Sequence, residues 1–182
     1  MIVELHQNPD LVKQMVKKMR VESGEKHPVI SDINLYIFYG ARITFWMEGD
    51  RAISVNMTKI GKRKKNLWEP YANWYGAYTL PEYRRKGFAE SLYAYVEQAA
   101  VDAGCRRVKS LAGSSAGLGL HMSLGHQCWG KTANDEVWVD SPLPGSEQLY
   151  AADQTPPRAP GQLMTTEQLK AILNEGLRYD KP

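Results

Sequence analysis

Residues 74–89 read Trp74-Tyr75-Gly76-Ala77-Tyr78-Thr79-Leu80-Pro81-Glu82-Tyr83-Arg84-Arg85-Lys86-Gly87-Phe88-Ala89. Trp74 to Leu80 have the aromatic and apolar composition of a strand. Pro81 ends it, and a basic turn with one glycine follows. From Phe88 onward, apolar residues recur at Leu92, Val96, Ala99 and Ala103, which predicts a helix stopped by Gly104. A strand feeding a basic, glycine-containing turn at a helix start suits a diphosphate. The first helical amides have no intrahelical acceptor, and the dipole end favours negative charge. Gly87 allows close approach of the backbone, and Ala89 keeps the next position small.

Arg84-x-x-Gly87-x-Ala89, preceded by Pro81-Glu82-Tyr83, resembles the acyl-CoA-binding motif of the GNAT family, the GCN5-related N-acetyltransferases. The place of the motif between strand and helix strengthens the match. A second element, Ser114 to Gly125 ending Leu120-His121-Met122-Ser123-Leu124-Gly125-His126, resembles the family's Asn-…-Leu-Tyr-x-x-Leu-Gly-Phe segment. The two together cover roughly residues 74–130. The resemblance implies that Ala77, Tyr78 and Thr79 present backbone groups to the acyl and pantetheine portion of acetyl-CoA. It implies that Arg84, Arg85, Lys86, Gly87, Phe88, Ala89 and Glu90 hold the pyrophosphate, and that Ser114 stands where an asparagine is common. His121 falls in the slot of a tyrosine general acid. Lys109 stands where N-terminal-acetyltransferase relatives place a glutamate base.

Transfer of an acyl group from a thioester to an amine needs a deprotonated amine close to the thioester carbon. It also needs a donor for the developing oxyanion and a proton donor for the leaving thiolate. An imidazole with a pKa near 6.5 suits either proton role, so His121 is the candidate catalytic residue. Lys109 cannot act as a carboxylate base and has no catalytic role. Glu69, Glu82 or a water chain are the alternatives for the base.

Elsewhere the chain gives fewer chemical signals. Met1 to Leu5 reads as a strand, and Asn8-Pro9 opens a helix with Leu11, Val12, Met15, Val16 and Met19 on its apolar face. Residues 29–41 are ambiguous between helix and strand. Ile43, Phe45 and Met47 alternate, Gly49-Asp50 turns, and Ile53, Val55 and Met57 alternate again, predicting a hairpin. Lys62-Arg63-Lys64-Lys65 is the densest positive run, followed by Trp68, Tyr71 and Trp74. A solvated turn over core aromatics is one reading, and a surface for nucleic acid is the other. Arg107 to Ala112 reads as a strand, Ser115 to Leu124 as a short helix, and residues 127–140 as a hairpin across Asn134-Asp135. Prolines crowd residues 141–161. A last helix follows, with Thr165-x-x-Gln168 as a capping box and Leu169, Ile172, Leu173 and Leu177 as an apolar stripe.

At 182 residues and a net charge of +3, the chain is long enough for a full core and carries no decisive charge bias. Cys105 and Cys128 have neither disulfide nor zinc spacing, so buried free thiols in a reducing cytoplasm are expected, with no metal. Nothing reads as a signal peptide or a membrane span.

The expected fold is α/β, a GNAT-like, mixed and mostly antiparallel central sheet flanked by helices, with a proline-rich tail and short helix. The expected division is residues 1–140 for the acyltransferase domain, 141–164 for a linker and 165–182 for a C-terminal amphipathic helix. That helix docks either in cis or against a second copy, and a homodimer is slightly favoured. The expected activity is acetyl transfer from acetyl-CoA to a primary amine by direct attack on the thioester. The acceptor is a small molecule or a protein lysine or N-terminus. The alternative is a nucleic-acid-binding or base-modifying protein on the same fold, with transfer activity kept or lost.

Overall fold

Asn8 caps the first helix, α1 (Pro9–Ser23), by accepting the Leu11 amide at 3.1 Å, and Gly24 ends it at φ 66. These are the local signals the sequence carries for that helix. The computed structural model describes residues 1–61, 71–146 and 162–180. They fall into two units, one of residues 1–60 with 74–99 and one of residues 61–73 with 100–182.

The first unit contains β1 (Ile2–Glu4), α1, two short helices α2 (Pro28–Ser31) and α3 (Ile33–Phe38), then β2 (Arg42–Glu48) and β3 (Arg51–Ile60). It continues with most of β4 (Tyr71–Thr79) and the larger part of α4 (Phe88–Asp102). The ambiguous stretch 29–41 is therefore helical where it is regular. His27-Pro28 explains this: the His27 Nδ1 accepts the Val29 amide at 3.3 Å, and Pro28 takes a first-turn position where no amide is needed. β1 pairs antiparallel with β2, and β2 with β3 across Gly49-Asp50. The Leu80 amide closes β4 onto the Ile53 carbonyl at 3.0 Å.

Ile43, Phe45, Ile53, Val55 and Met57 face Val12, Val16 and Met19 of α1, with Tyr78 and Leu80 in the same core. The other face of β3 is equally dry: Ser54, Asn56 and Thr58 are fully buried. Ser54 meets its demand by donating to the Tyr78 carbonyl at 3.2 Å and sharing a hydrogen bond with Thr79 Oγ1 at 2.8 Å. In α4 the buried residues are Leu92, Tyr93, Val96 and Ala100, so the face is turned slightly from the one expected. Ala103 lies past the helix end and is exposed.

The second unit contains β5 (Arg107–Ala112), α5 (Ser115–Ser123), β6 (Cys128–Lys131), β7 (Val137–Pro142) and α6 (Thr166–Glu175). β7 lies between β5 and β6 and is antiparallel to both. It runs into the stretch expected as linker, and Leu143 beyond it is fully buried. Residues 147–161 of that stretch lie outside the described residues.

The capping box of α6 is formed in both directions, Gln168 amide to Thr165 Oγ1 at 3.3 Å and Thr165 amide to Gln168 Oε1 at 2.8 Å. Its stripe docks in cis. Leu169, Ile172 and Leu177 are buried with Ala112, Leu118, Cys128, Val137 and Val139. The turn after α6 is tied to the start of α5. Asp180 Oδ2 accepts from the Ser115 amide (2.8 Å), the Ser115 hydroxyl (2.6 Å) and the Leu177 amide (2.9 Å). Tyr179 packs so closely on Gly113 that a Cβ there would lie 2.5 Å from the ring. Across both units the described strands are mostly antiparallel and the class is α/β, as the sequence leads one to expect.

Candidate active site

β4 ends at Thr79, a 3-10 turn takes Pro81 to Tyr83, and α4 starts at Phe88. Two residues of the intervening loop are left-handed, Arg85 at φ 61 and Gly87 at φ 81. Such a turn directs neighbouring amides towards one concavity, the geometry of a backbone anion nest. The Gly87 carbonyl accepts both the Ser91 amide (2.9 Å) and the Ser91 hydroxyl (3.0 Å). Gly87 is thus the last residue before the helix, at the end where the first amides of a helix have no intrahelical acceptor. A Cβ on Gly87 would meet no atom within 4 Å among the described residues. Arg84, Arg85 and Lys86 are exposed beside it. A basic loop at a helix start has the charge that favours an anion. Ala77, Tyr78, Thr79 and Arg84 to Glu90 all fall in the first unit.

The same unit holds a side-chain network that no motif announces. Glu25, just after the Gly24 cap, accepts the Tyr78 hydroxyl on Oε2 at 2.9 Å and pairs through the same oxygen with Arg84 Nη2. Arg84 Nε donates to the Thr79 carbonyl at 3.1 Å, and its guanidinium lies 5.6 Å from the Tyr78 ring centre. The hydrogen bond from Arg84 holds the Glu25 carboxyl below its usual range, although burial opposes this. His27 packs its ring 5.1 Å from that of Tyr78, and burial lowers its pKa while the charge of Glu25 opposes this. Further along β4, Val29 fills the space over Gly76, where a Cβ would sit 2.6 Å from its methyl group. Tyr36 and Tyr39 bring their rings to 5.6 and 6.2 Å from Tyr75. The segment from Glu25 to Tyr39 therefore runs along β4. Glu25 and Arg84 are far apart in sequence, so no local spacing could have paired them.

Ser114 and His121 belong to the second unit. Ser114 caps α5, accepting the Gly117 amide at 3.1 Å. His121 is 3% exposed, with its Nδ1 3.0 Å from that of His126. Burial, aided by the charge of His126, pushes its pKa down to about 3. The ring is therefore neutral at physiological pH, in contrast to the titrating imidazole the sequence suggests. Lys109 lies 3.8 Å from Asp140 Oδ2 and 5.1 Å from the Tyr71 ring centre.

Among the candidate bases, Glu82 pairs with Arg51, which Glu22 also holds. Glu69, Trp68 and the basic run Lys62, Arg63, Lys64 and Lys65 lie outside the described residues. Cys105 and Cys128 are free and buried, and burial raises each thiol to about 11. Among the described residues no helix is long and apolar enough to cross a membrane.

The family model of the acetyltransferase (GNAT) family matches residues 15–125, more than half of the chain. The chain belongs to that family. No curated protein sequence matches it. Solved structures share the fold at low identity. One is AtaTR bound with acetyl-CoA, with TM-score 0.60 and 14% identity over 82% of this chain and 97% of the other. A second is an aminoglycoside 6'-N-acetyltransferase complexed with coenzyme A, with TM-score 0.60 and 11% identity over 79% and 97%. A third is Naa20 of Chaetomium thermophilum in complex with a bisubstrate analogue, with TM-score 0.60 and 14% identity over 89% and 94%.

Proposed function

We propose that the protein is an N-acetyltransferase that moves the acetyl group of acetyl-CoA to a primary amine by direct attack on the thioester. The acceptor is a small molecule or a protein lysine or N-terminus. The observation that carries this reading is the left-handed turn at Arg85 and Gly87 directly before α4, in a loop whose basic side chains are exposed. Acetyl-CoA supplies the activated acyl carbon. The amides from Arg85 to Glu90, with Arg84 and Lys86, hold the diphosphate. Ala77, Tyr78 and Thr79 offer main-chain groups to the pantetheine and acyl portion. Their positions are fixed because Ser54 braces the Tyr78 carbonyl and the Thr79 hydroxyl.

His121 is the proton-handling candidate of the second unit. Its neutral state leaves it an N–H hydrogen-bond donor rather than an imidazolium acid at physiological pH. Ser114 fixes the start of the helix that carries it. Two buried free thiols suit a reducing cytoplasm. The test is incubation with isotopically labelled acetyl-CoA and a panel of amines, aminoglycosides and peptides, read by mass spectrometry. Acetylation of at least one amine, lost in Gly87→Glu, is expected. Acetyl transfer that survives unchanged in Gly87→Glu contradicts the assignment.

A further inference from the structure

Arg84 opens the Arg84-x-x-Gly87-x-Ala89 loop, yet its guanidinium is engaged on the other side, with Glu25 and the Thr79 carbonyl. Glu25 is fixed through one oxygen. Among the described residues, the bonds from Tyr78 and Arg84 both fall on Oε2, and Oε1 is left for a further donor. The Glu25 side chain is 38% exposed, so a ligand can reach it. Burial lowers the pKa of its neighbour His27, and the charge of Glu25 opposes that shift.

We propose that Arg84 is a counter-ion shared between Glu25 and the diphosphate of CoA. When CoA draws Arg84 to the phosphates, Glu25 is uncovered beside Tyr78 as the anchor for the ammonium group of the acceptor. The proposal rests on the reading that Arg84 to Glu90 hold the diphosphate. A diphosphate offers the guanidinium fork more charge and more paired oxygens than one half-exposed carboxylate. While Arg84 holds Glu25, the pair is internally neutral and attracts a cation weakly. Once Arg84 turns away, the carboxylate carries an uncompensated charge, and the phenol keeps it in place. Glu25 is then open to a cation only with CoA bound, and the acceptor is a primary amine that arrives as ammonium.

Isothermal titration with CoA at low salt tests the sharing. Glu25→Gln keeps the shape and removes the charge. It should tighten CoA by about two- to fivefold, the size of an exposed ion pair. The gain should vanish in an Arg84→Gln background. Equal or weaker binding by Glu25→Gln overturns the proposal. So does a gain that persists without Arg84, because the effect would then be a general field. If Gly87→Glu binds CoA as well as the wild type, the loop reading itself falls, a distinct result. The anchor is probed by n-butylamine titrated into ¹⁵N-labelled protein. Amide shifts at Gly24 to His27 should follow only when CoA is present. Equal shifts without CoA, or none in either state, overturn the anchoring role.

Discussion

The loop from Arg84 to Ala89 and the helix α5 place chemistry in opposite ways. In the loop it is main-chain geometry, two left-handed torsions directly before α4. Helix α5 offers a side chain, His121, sealed in the interior against His126. Backbone chemistry needs a few torsions and little else, so it is robust to the surrounding side chains. Side-chain chemistry is set by every neighbour that excludes water, and burial with the charge of His126 moves this imidazole out of the physiological range.

The comparison is tested most severely by disturbing the packing beneath α5. Leu177 is fully buried in the cluster that includes Leu118 of that helix. Leu177→Ala should lose about 2–5 kcal/mol of stability in chemical denaturation. A loss within experimental error would mean that the tail does not complete the core of the second unit.

His121→Ala should come next, lowering kcat by roughly 100-fold while CoA affinity stays near wild type. Because the folded-state pKa is near 3, kcat of the wild type should show no step near pH 6.5 that disappears in the variant. Such a step would show a titrating, water-exposed imidazole. The linkage has a definite sign. The unfolded state takes up a proton at His121 as pH falls below about 6.5, and the folded state does not. This contribution to stability is complete above that value and is lost progressively as pH drops towards 3.

The smallest effect concerns the clasp on α5. Burial works against ionisation of Asp180, but hydrogen bonds from Ser115 and Leu177 more than offset it and lower its pKa. Its contribution is present above the ordinary aspartate range and is lost as pH falls through the lowered folded value. Asp180→Asn should cost about 1 kcal/mol at neutral pH and remove part of the acid sensitivity, measured by thermal unfolding across pH. An unchanged acid limb would assign that sensitivity to other carboxylates.

Much of this was legible because it is local. The Asn8-Pro9 start of α1, the Gly49-Asp50 hairpin, the Thr165 capping box and the strand-turn-helix at residues 74–103 all write their geometry in neighbouring residues. Three features were hidden because they are made by distant contacts. Ser54, Asn56 and Thr58 look like a solvent face in the alternating pattern, yet the fold covers them. Glu25 gains its meaning only from Tyr78 and Arg84. His121 occupies a recognisable slot, but the motif does not encode how dry that slot is.

The central claim is that the amides at the start of α4 hold the diphosphate of CoA, and calorimetry on one position tests it most directly. Gly87 sits at φ 81 with open space before its missing side chain. Gly87→Glu places a carboxylate in that space and a strained backbone at the helix start. CoA should bind the wild type and show no measurable heat with the variant at the same concentrations, while circular dichroism of the two remains alike. Equal CoA affinity in both proteins would contradict the account.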